Sequence, residues 1–248
     1  MLYDLAAPAK LNLFLHVVGR RPDGYHLLQT IFRLIDLSDS LDVDTRRDGK
    51  IVRDTDMLGV AHDDDLVVRA AKALQQQTGS KLGAQIRVRK RIPSGAGLGG
   101  GSSDAATVLI ALNRLWQTGL SRQDLMQLGL SLGADVPVFI FGQNAFAEGI
   151  GEKLTALELP EQAYLVVQPA QHVPTQGIFQ DPDLTRNTDP VKIMDFSGRQ
   201  IFTDLGFGRN DLQPVVLKRY PVVQQALDWL NKAEFSASGF KARMTGSG

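Results

Sequence analysis

Between Pro93 and Ala105 the chain reads Pro-Ser-Gly-Ala-Gly-Leu-Gly-Gly-Gly-Ser-Ser-Asp-Ala, with five glycines in the seven positions from Gly95 to Gly101. No other segment so narrows what the chain can fold into. A backbone with so few side chains can take positive φ and approach a ligand closely. It runs straight into Ala105 to Ile110, a helix start. Free N–H groups and the positive end of a helix dipole then converge on one point, which suits a phosphate. Ser102 and Ser103 add hydroxyls able to ligate a phosphate or its Mg²⁺. A plain connector needs neither so many glycines nor a helix opening on it. Gly95, Gly97 and Gly100 also match the dinucleotide fingerprint, but that motif requires a buried apolar strand before it and an acid about twenty residues later. The preceding strand here is Arg87-Val88-Arg89-Lys90-Arg91, Pro93 interrupts the turn, and no acid ends a strand at that distance. A Walker loop is excluded because no Gly-Lys-Ser or Gly-Lys-Thr occurs.

An anionic ligand must be held by local geometry here, because the chain has no basic field. Lys plus Arg and Asp plus Glu are 27 each among 248 residues, which argues against a nucleic-acid partner. Without cysteine, disulfides and thiolate metal sites are ruled out. Met1 to Leu15 carries Asp4, Pro8, Lys10 and Asn12 and does not resemble a signal peptide. No apolar run reaches the length of about eighteen residues that a membrane span needs. The expectation is a cytoplasmic protein without a membrane partner.

Ala9 to Val17 alternates as a strand, with Leu11, Leu13 and Leu15 on one face and Lys10 and Asn12 on the other. A turn at Arg20 to Gly24 leads to strands over Leu27 to Leu37 and Leu41 to Thr45. Asp48 to Asp63 reads as hairpin and loop, and the acids Asp54, Asp56 and Asp63 to Asp65 as solvated loop and helix cap. Helices are predicted over Leu66 to Gln77, Ser103 to Trp116 and Ser121 to Leu132, the last with Ser121 and Asp124 as a capping pair and Gly133 as C-cap. Asp135-Val136-Pro137 opens a further helix. Gln85 to Ile92 is a strand with Ile86, Val88 and Lys90 on one face and a solvated row of Arg87, Arg89 and Arg91 on the other. Leu154 to Leu159 and Tyr164 to Gln168 read as strands, Asp181 to Gly198 as loop, and Val215 to Lys232 as helix. Strands and helices mix without strict alternation, so the fold class is α+β, with domains over 1–155 and 156–248.

Four stretches together resemble the GHMP kinases, the group that includes galactokinase and the homoserine, mevalonate and phosphomevalonate kinases. They are Pro8 to Leu13, Arg21-Pro22-Asp23-Gly24-Tyr25-His26, Pro93 to Ala105, and Gly133-Ala134-Asp135-Val136-Pro137. The Tyr25-His26 element is similar to the branch whose acceptor is a cytidine diphosphate-linked methylerythritol, a step in non-mevalonate isoprenoid synthesis. The resemblance implies an N-terminal domain like ribosomal protein S5 domain 2 and a ferredoxin-like C-terminal domain, with the site in a cleft between them. It implies ATP and Mg²⁺, and a monomer or weak homodimer. By motif position it makes Asp135 the general base and Lys10 its partner. Ser94, Gly95, Ala96, Gly97, Leu98, Gly99, Gly100, Gly101, Ser102, Ser103 and Asp104 correspond to the ATP loop, and Asp65 and Leu66 to the adenine pocket. Tyr25, His26 and Phe179 correspond to residues that hold the cytosine, and Asn12 and Thr175 to substrate contacts. The terminal Arg243 to Gly248 matches the start of a third motif that normally continues, so the C-terminal domain is expected to be truncated.

Read as chemistry, an ionised Asp135 at a helix start would accept a hydroxyl proton, and Lys10 would orient it and offset transition-state charge. Tyr25 and Phe179 would present faces for a base to stack on. Without the motifs, Asp135 reads as an ordinary N-cap and Lys10 as an exposed strand lysine. His16, His62 and His172 lack metal-ligand spacing and read as structural. Another GHMP kinase, acting on homoserine or a mevalonate derivative, and a non-catalytic nucleotide-binding regulator stand as the alternatives.

Overall fold

The computed structural model describes residues 1–54, 61–192, 208–232 and 242–247. The predicted loop acid Asp56, residues 193–198 of the predicted loop and Gly248 lie outside them. The chain is mixed helix and sheet, as expected. Its strands are β1 (Leu2–Arg20), β2 (His26–Arg46), β3 (Ile51–Arg53), β4 (Gly83–Arg89), β5 (Ala145–Glu148) and β6 (Lys153–Ala156). The α-helices are α1 (Leu66–Thr78), α2 (Gly100–Leu115), α3 (Arg122–Leu132), α4 (Val136–Phe141), α5 (Thr175–Phe179), α6 (Gln213–Arg219) and α7 (Pro221–Leu230).

The chain divides into two compact units that exchange segments: one holds Met1–Lys10, Leu34–Ser94 and Gly99–Gln143, the other Leu11–Arg33, Gly95–Leu98 and Asn144–Gly248. In the first, the later half of β2 pairs antiparallel with β4 from Ser40↔Arg89 to Arg46↔Gly83. β3 pairs parallel with β4, inside what sequence alone reads as loop. Helices α1 and α2 pack together, burying Val67, Val68, Ala70, Ala71 and Leu74 against a row that includes Ala105, Ala106, Val108, Leu109 and Leu112. The alanines let the two backbones approach, and each buried valine or leucine contributes about 1.5–3 kcal/mol. α3 carries the predicted capping box of Ser121 and Asp124. Trp116 ends α2 and donates its indole N–H to the Gly83 carbonyl at 3.2 Å, tying the helix to β4.

In the second unit the early half of β2 pairs with β5, and β5 with β6. Its larger core gathers Leu15, Val17, Val173, Ile178, Leu184, Leu212, Val215, Val216, Val223 and Met244. Three predicted elements differ here or in β2. The strands expected over Leu27 to Leu37 and Leu41 to Thr45 are one continuous strand. Tyr164 to Gln168 is not a strand: Leu165 is 65% exposed and no described strand pairs with the segment. The helix expected over Val215 to Lys232 breaks at Tyr220, because Pro221 has no N–H and disfavours helical geometry at the residue before it.

Candidate active site

Lys10 comes from β1 and Asp135 from the residue before α4, and in the first unit the lysine Nζ lies 3.4 Å from Asp135 Oδ2. Lys10 is only 3% exposed, so it is no solvated strand lysine. Asp135 occupies the N-cap position of α4, yet its side chain makes no capping hydrogen bond. Its carboxylate is 38% exposed and faces the ammonium instead. A carboxylate that neither caps its helix nor is buried is available to a substrate hydroxyl.

Helix α2 begins beside this pair. Gly99 is its N-cap, at φ 74°, with no side-chain cap on the first turn. A Cβ on Gly99 would stand 2.8 Å from Phe139 Cζ and 3.3 Å from Lys10 Cε. The absent side chain is therefore what lets the helix N-terminus close on Lys10. Uncapped N–H groups at the head of a sixteen-residue helix, with an ammonium alongside, form an anion-binding point. Ser103 and Asp104 lie in the first turns, and Ser103 Oγ and Asp104 Oδ1 are buried without a hydrogen-bond partner among the described residues.

Beneath this turn sits a charge network that the motifs do not reveal. Lys90 donates to Asp104 Oδ2 at 2.7 Å and also to Asp39. Asp39 is fully buried and accepts the backbone N–H groups of Arg91 and Ile92 at 2.5 and 2.8 Å. Burial pushes the Asp104 carboxyl up, Lys90 pulls it back, and Asp39 adds a further upward push, leaving it at about 7. The signal was present in the strand pattern, since Lys90 occupies the position of a core residue after Ile86 and Val88. Arg89 pairs with Asp42 and Asp4, and Arg87 with Asp54, which keeps this row a solvated ionic face. Asp65 accepts from Val67 N–H at 2.9 Å as the cap of α1 and pairs with Arg53, so its carboxylate has structural partners. Leu66 Cδ1 lies 3.6 Å from where a Cβ on Gly101 would stand.

The second unit brings the other predicted residues together. His26 and Phe179 pack ring to ring, with centroids 5.1 Å apart and planes tilted by 30°. Tyr25 follows an Asx turn in which its N–H donates to Asp23 Oδ1 at 3.2 Å, and its side chain is exposed. Thr175 and Phe179 are four apart on α5 and so share a face. Thr175 Oγ1 is 2.6 Å from Ser247 Oγ. Asn12 donates its amide to Thr30 Oγ1 at 2.9 Å, and its backbone N–H to Thr245 Oγ1 at 2.8 Å. The middle of the glycine loop, Gly95–Leu98, also belongs here: a Cβ on Gly246 would stand 2.9 Å from the Gly97 carbonyl oxygen. His172 Nδ1 lies 2.7 Å from the corresponding point on Gly95, packed under the loop. Sequence reasoning missed Thr30, Arg186 and the Asp39–Lys90 pair. Arg186 donates from Nε to His26 Nε2 at 3.1 Å and from Nη2 to the Phe179 carbonyl at 3.0 Å. Burial, with Arg186 and Arg20 nearby, lowers the His26 pKa, so its ring is neutral near pH 7.

Residues 65–143 match the family model of the GHMP kinases N terminal domain. A relative from Bordetella bronchiseptica named 4-diphosphocytidyl-2-C-methyl-D-erythritol kinase is 64% identical over 247 residues, covering 100% of this chain and 80% of the relative. The crystal structure of a 4-(cytidine 5'-diphospho)-2C-methyl-D-erythritol kinase superposes with a TM-score of 0.77 at 34% identity, covering 99% of this chain and 87% of that one. A mevalonate kinase from L. major solved with R-mevalonate shares the fold, with a TM-score of 0.64 at 16% identity over 100% of this chain and 84% of its own. Sequence and fold together place the chain in the 4-diphosphocytidyl-2-C-methyl-D-erythritol kinase family, within the GHMP kinases.

Proposed function

We propose that the chain transfers the γ-phosphoryl group of ATP to the 2-hydroxyl of 4-diphosphocytidyl-2-C-methyl-D-erythritol. The observation that carries the chemistry is the Lys10–Asp135 contact of 3.4 Å beside an uncapped helix N-terminus. The amides at the head of α2 and the glycine loop bind the phosphates. Asp135 accepts the hydroxyl proton, an effect typically worth about 10²–10⁴ in rate. Lys10 keeps that carboxylate oriented and places positive charge where phosphoryl transfer spreads negative charge. Mg²⁺ carried with the triphosphate supplies further charge neutralisation. The hydroxyls of Ser102 and Ser103 are the donors that fit it, Ser103 Oγ being a buried oxygen without a partner among the described residues.

Substrate identity rests on the second unit, where the rings of His26 and Phe179 pack at a tilt of 30° and Tyr25 presents an exposed ring. Such rings suit a pyrimidine. No described helix is long and apolar enough to cross a membrane, and a cytoplasmic setting is part of the same proposal. A coupled assay of ADP release tests the assignment, with 4-diphosphocytidyl-2-C-methyl-D-erythritol, homoserine and mevalonate each as acceptor. Release that depends on the cytidyl substrate alone is expected. Release with homoserine or mevalonate, and none with the cytidyl substrate, would overturn it.

A further inference from the structure

We infer that Arg186 is a positioning residue that sets which hydrogen-bonding face His26 offers to the pyrimidine. This rests on the reading of His26 and Phe179 as the base subsite and goes beyond it by assigning the residue that determines specificity there.

Arginine donates five N–H groups and accepts nothing. Arg186 Nε meets His26 Nε2 at 3.1 Å, so Nε2 must be the accepting, unprotonated nitrogen. A neutral imidazole carries one proton, which is then fixed on Nδ1. Among the described residues Nδ1 has no hydrogen-bond partner. The remaining donors of Arg186 do not wander. Nη1 donates to the Leu184 carbonyl at 3.0 Å, and Nη2 to the carbonyls of Phe179 at 3.0 Å and Asp181 at 2.6 Å. One rigid fork thus fastens the imidazole to the backbone that carries its stacking partner Phe179. Both the tilt of the two rings and the tautomer follow from the same side chain.

The consequence is chemical selectivity. A fixed Nδ1–H donor is satisfied by a base with an acceptor at the facing ring position. Cytosine has an unprotonated N3 next to its O2. Uracil carries a proton on N3, so the donor would meet a donor, and a desolvated donor left unpaired costs affinity. Were the tautomer free, His26 could turn an acceptor towards uracil and the preference would fade.

The test compares CDP with UDP by calorimetry on the full chain, wild type against Arg186→Met and Arg186→Lys. Wild type is expected to prefer CDP by about tenfold or more, the scale of one hydrogen bond gained against one left unmade. Arg186→Met is expected to lose most of that ratio, chiefly through weaker CDP binding, with the KM for ATP unchanged. Arg186→Lys, which keeps a donor, should recover part of it. Nitrogen-15 NMR of the His26 ring gives an independent readout: Nε2 unprotonated in wild type, a tautomer mixture in Arg186→Met. A preserved CDP:UDP ratio in Arg186→Met, with wild type discriminating, would overturn the role of Arg186 alone. Failure of wild type to bind CDP would overturn the subsite as well. Should Arg186→Met fail to fold, a proton on Nε2 in the wild-type spectrum still refutes the inference.

Discussion

Replacing Gly99 by alanine probes the contact on which the site depends. Gly99 sits at φ 74°, and leaving glycine at such an angle costs about 1–2 kcal/mol. The new methyl would also stand 2.8 and 3.0 Å from Phe139 Cζ and Cε2, and that ring is only 7% exposed. Overpacking of a closed site adds about 1–3 kcal/mol. The sum is about 2–5 kcal/mol. In a chain of this size each kcal/mol lowers Tm by about 2–4 °C, so a fall of about 5–20 °C is expected. Gly79 provides the control. It has φ 67° and nothing within 4 Å of its missing Cβ, so Gly79→Ala should cost only the conformational part, about 1–2 kcal/mol. Thermal unfolding of both variants in one buffer separates the two contributions. Activity should fall only in Gly99→Ala, because Lys10 Cε is 3.3 Å from the added methyl and a small misplacement of a catalytic group can cost up to about 10² in rate. If Gly99→Ala unfolds no earlier than Gly79→Ala, the close approach of α2 to Lys10 and Phe139 is wrong.

Asp104→Asn should abolish a pH dependence of stability. The folded value of about 7 lies above the 3.8 of an ordinary aspartate, so the folded protein holds this proton more tightly than the unfolded chain does. The contribution is complete below about pH 4 and is lost as pH rises through about 7, up to about 4 kcal/mol in all. Urea midpoints of wild type should therefore fall over that window, while those of the variant stay flatter; parallel curves would contradict the assignment. Asp65→Ala removes a helix cap and one partner of a nearly buried ion pair with Arg53, and should cost at least about 3 kcal/mol in urea unfolding. A loss below about 1 kcal/mol would show that the pair is solvated.

The conformation of the glycine turn was legible because it is written in its composition: Gly95, Gly97 and Gly99 do take positive φ, and the helix opens directly behind them. The capping box of α3 and the proline start of α4 were legible for the same reason, since each is written in local residues. What is not local was not legible. Period-two alternation in β1 predicts one wet face, but Lys10, Asn12 and His16 are all buried, because packing covers both faces of the strand. Lys90 shares the face of Ile86 and Val88 in the sequence, but its partner Asp39, fifty-one positions away, is set by the pairing of β2 with β4 and not by any local residue. Arg186 had no signal at all, lying in a stretch whose composition reads only as loop. Tyr164 to Gln168 failed the other way, with strand propensity but no pairing to a strand among the described residues.

Turnover is expected to depend on the Lys10–Asp135 pair. Asp135→Asn keeps the shape and removes the base, so single-turnover ADP formation at saturating ATP and acceptor should slow by about 10²–10⁴ while nucleotide affinity holds. Product formed at the wild-type rate by that variant would mean the proton leaves by another route and the pair is structural.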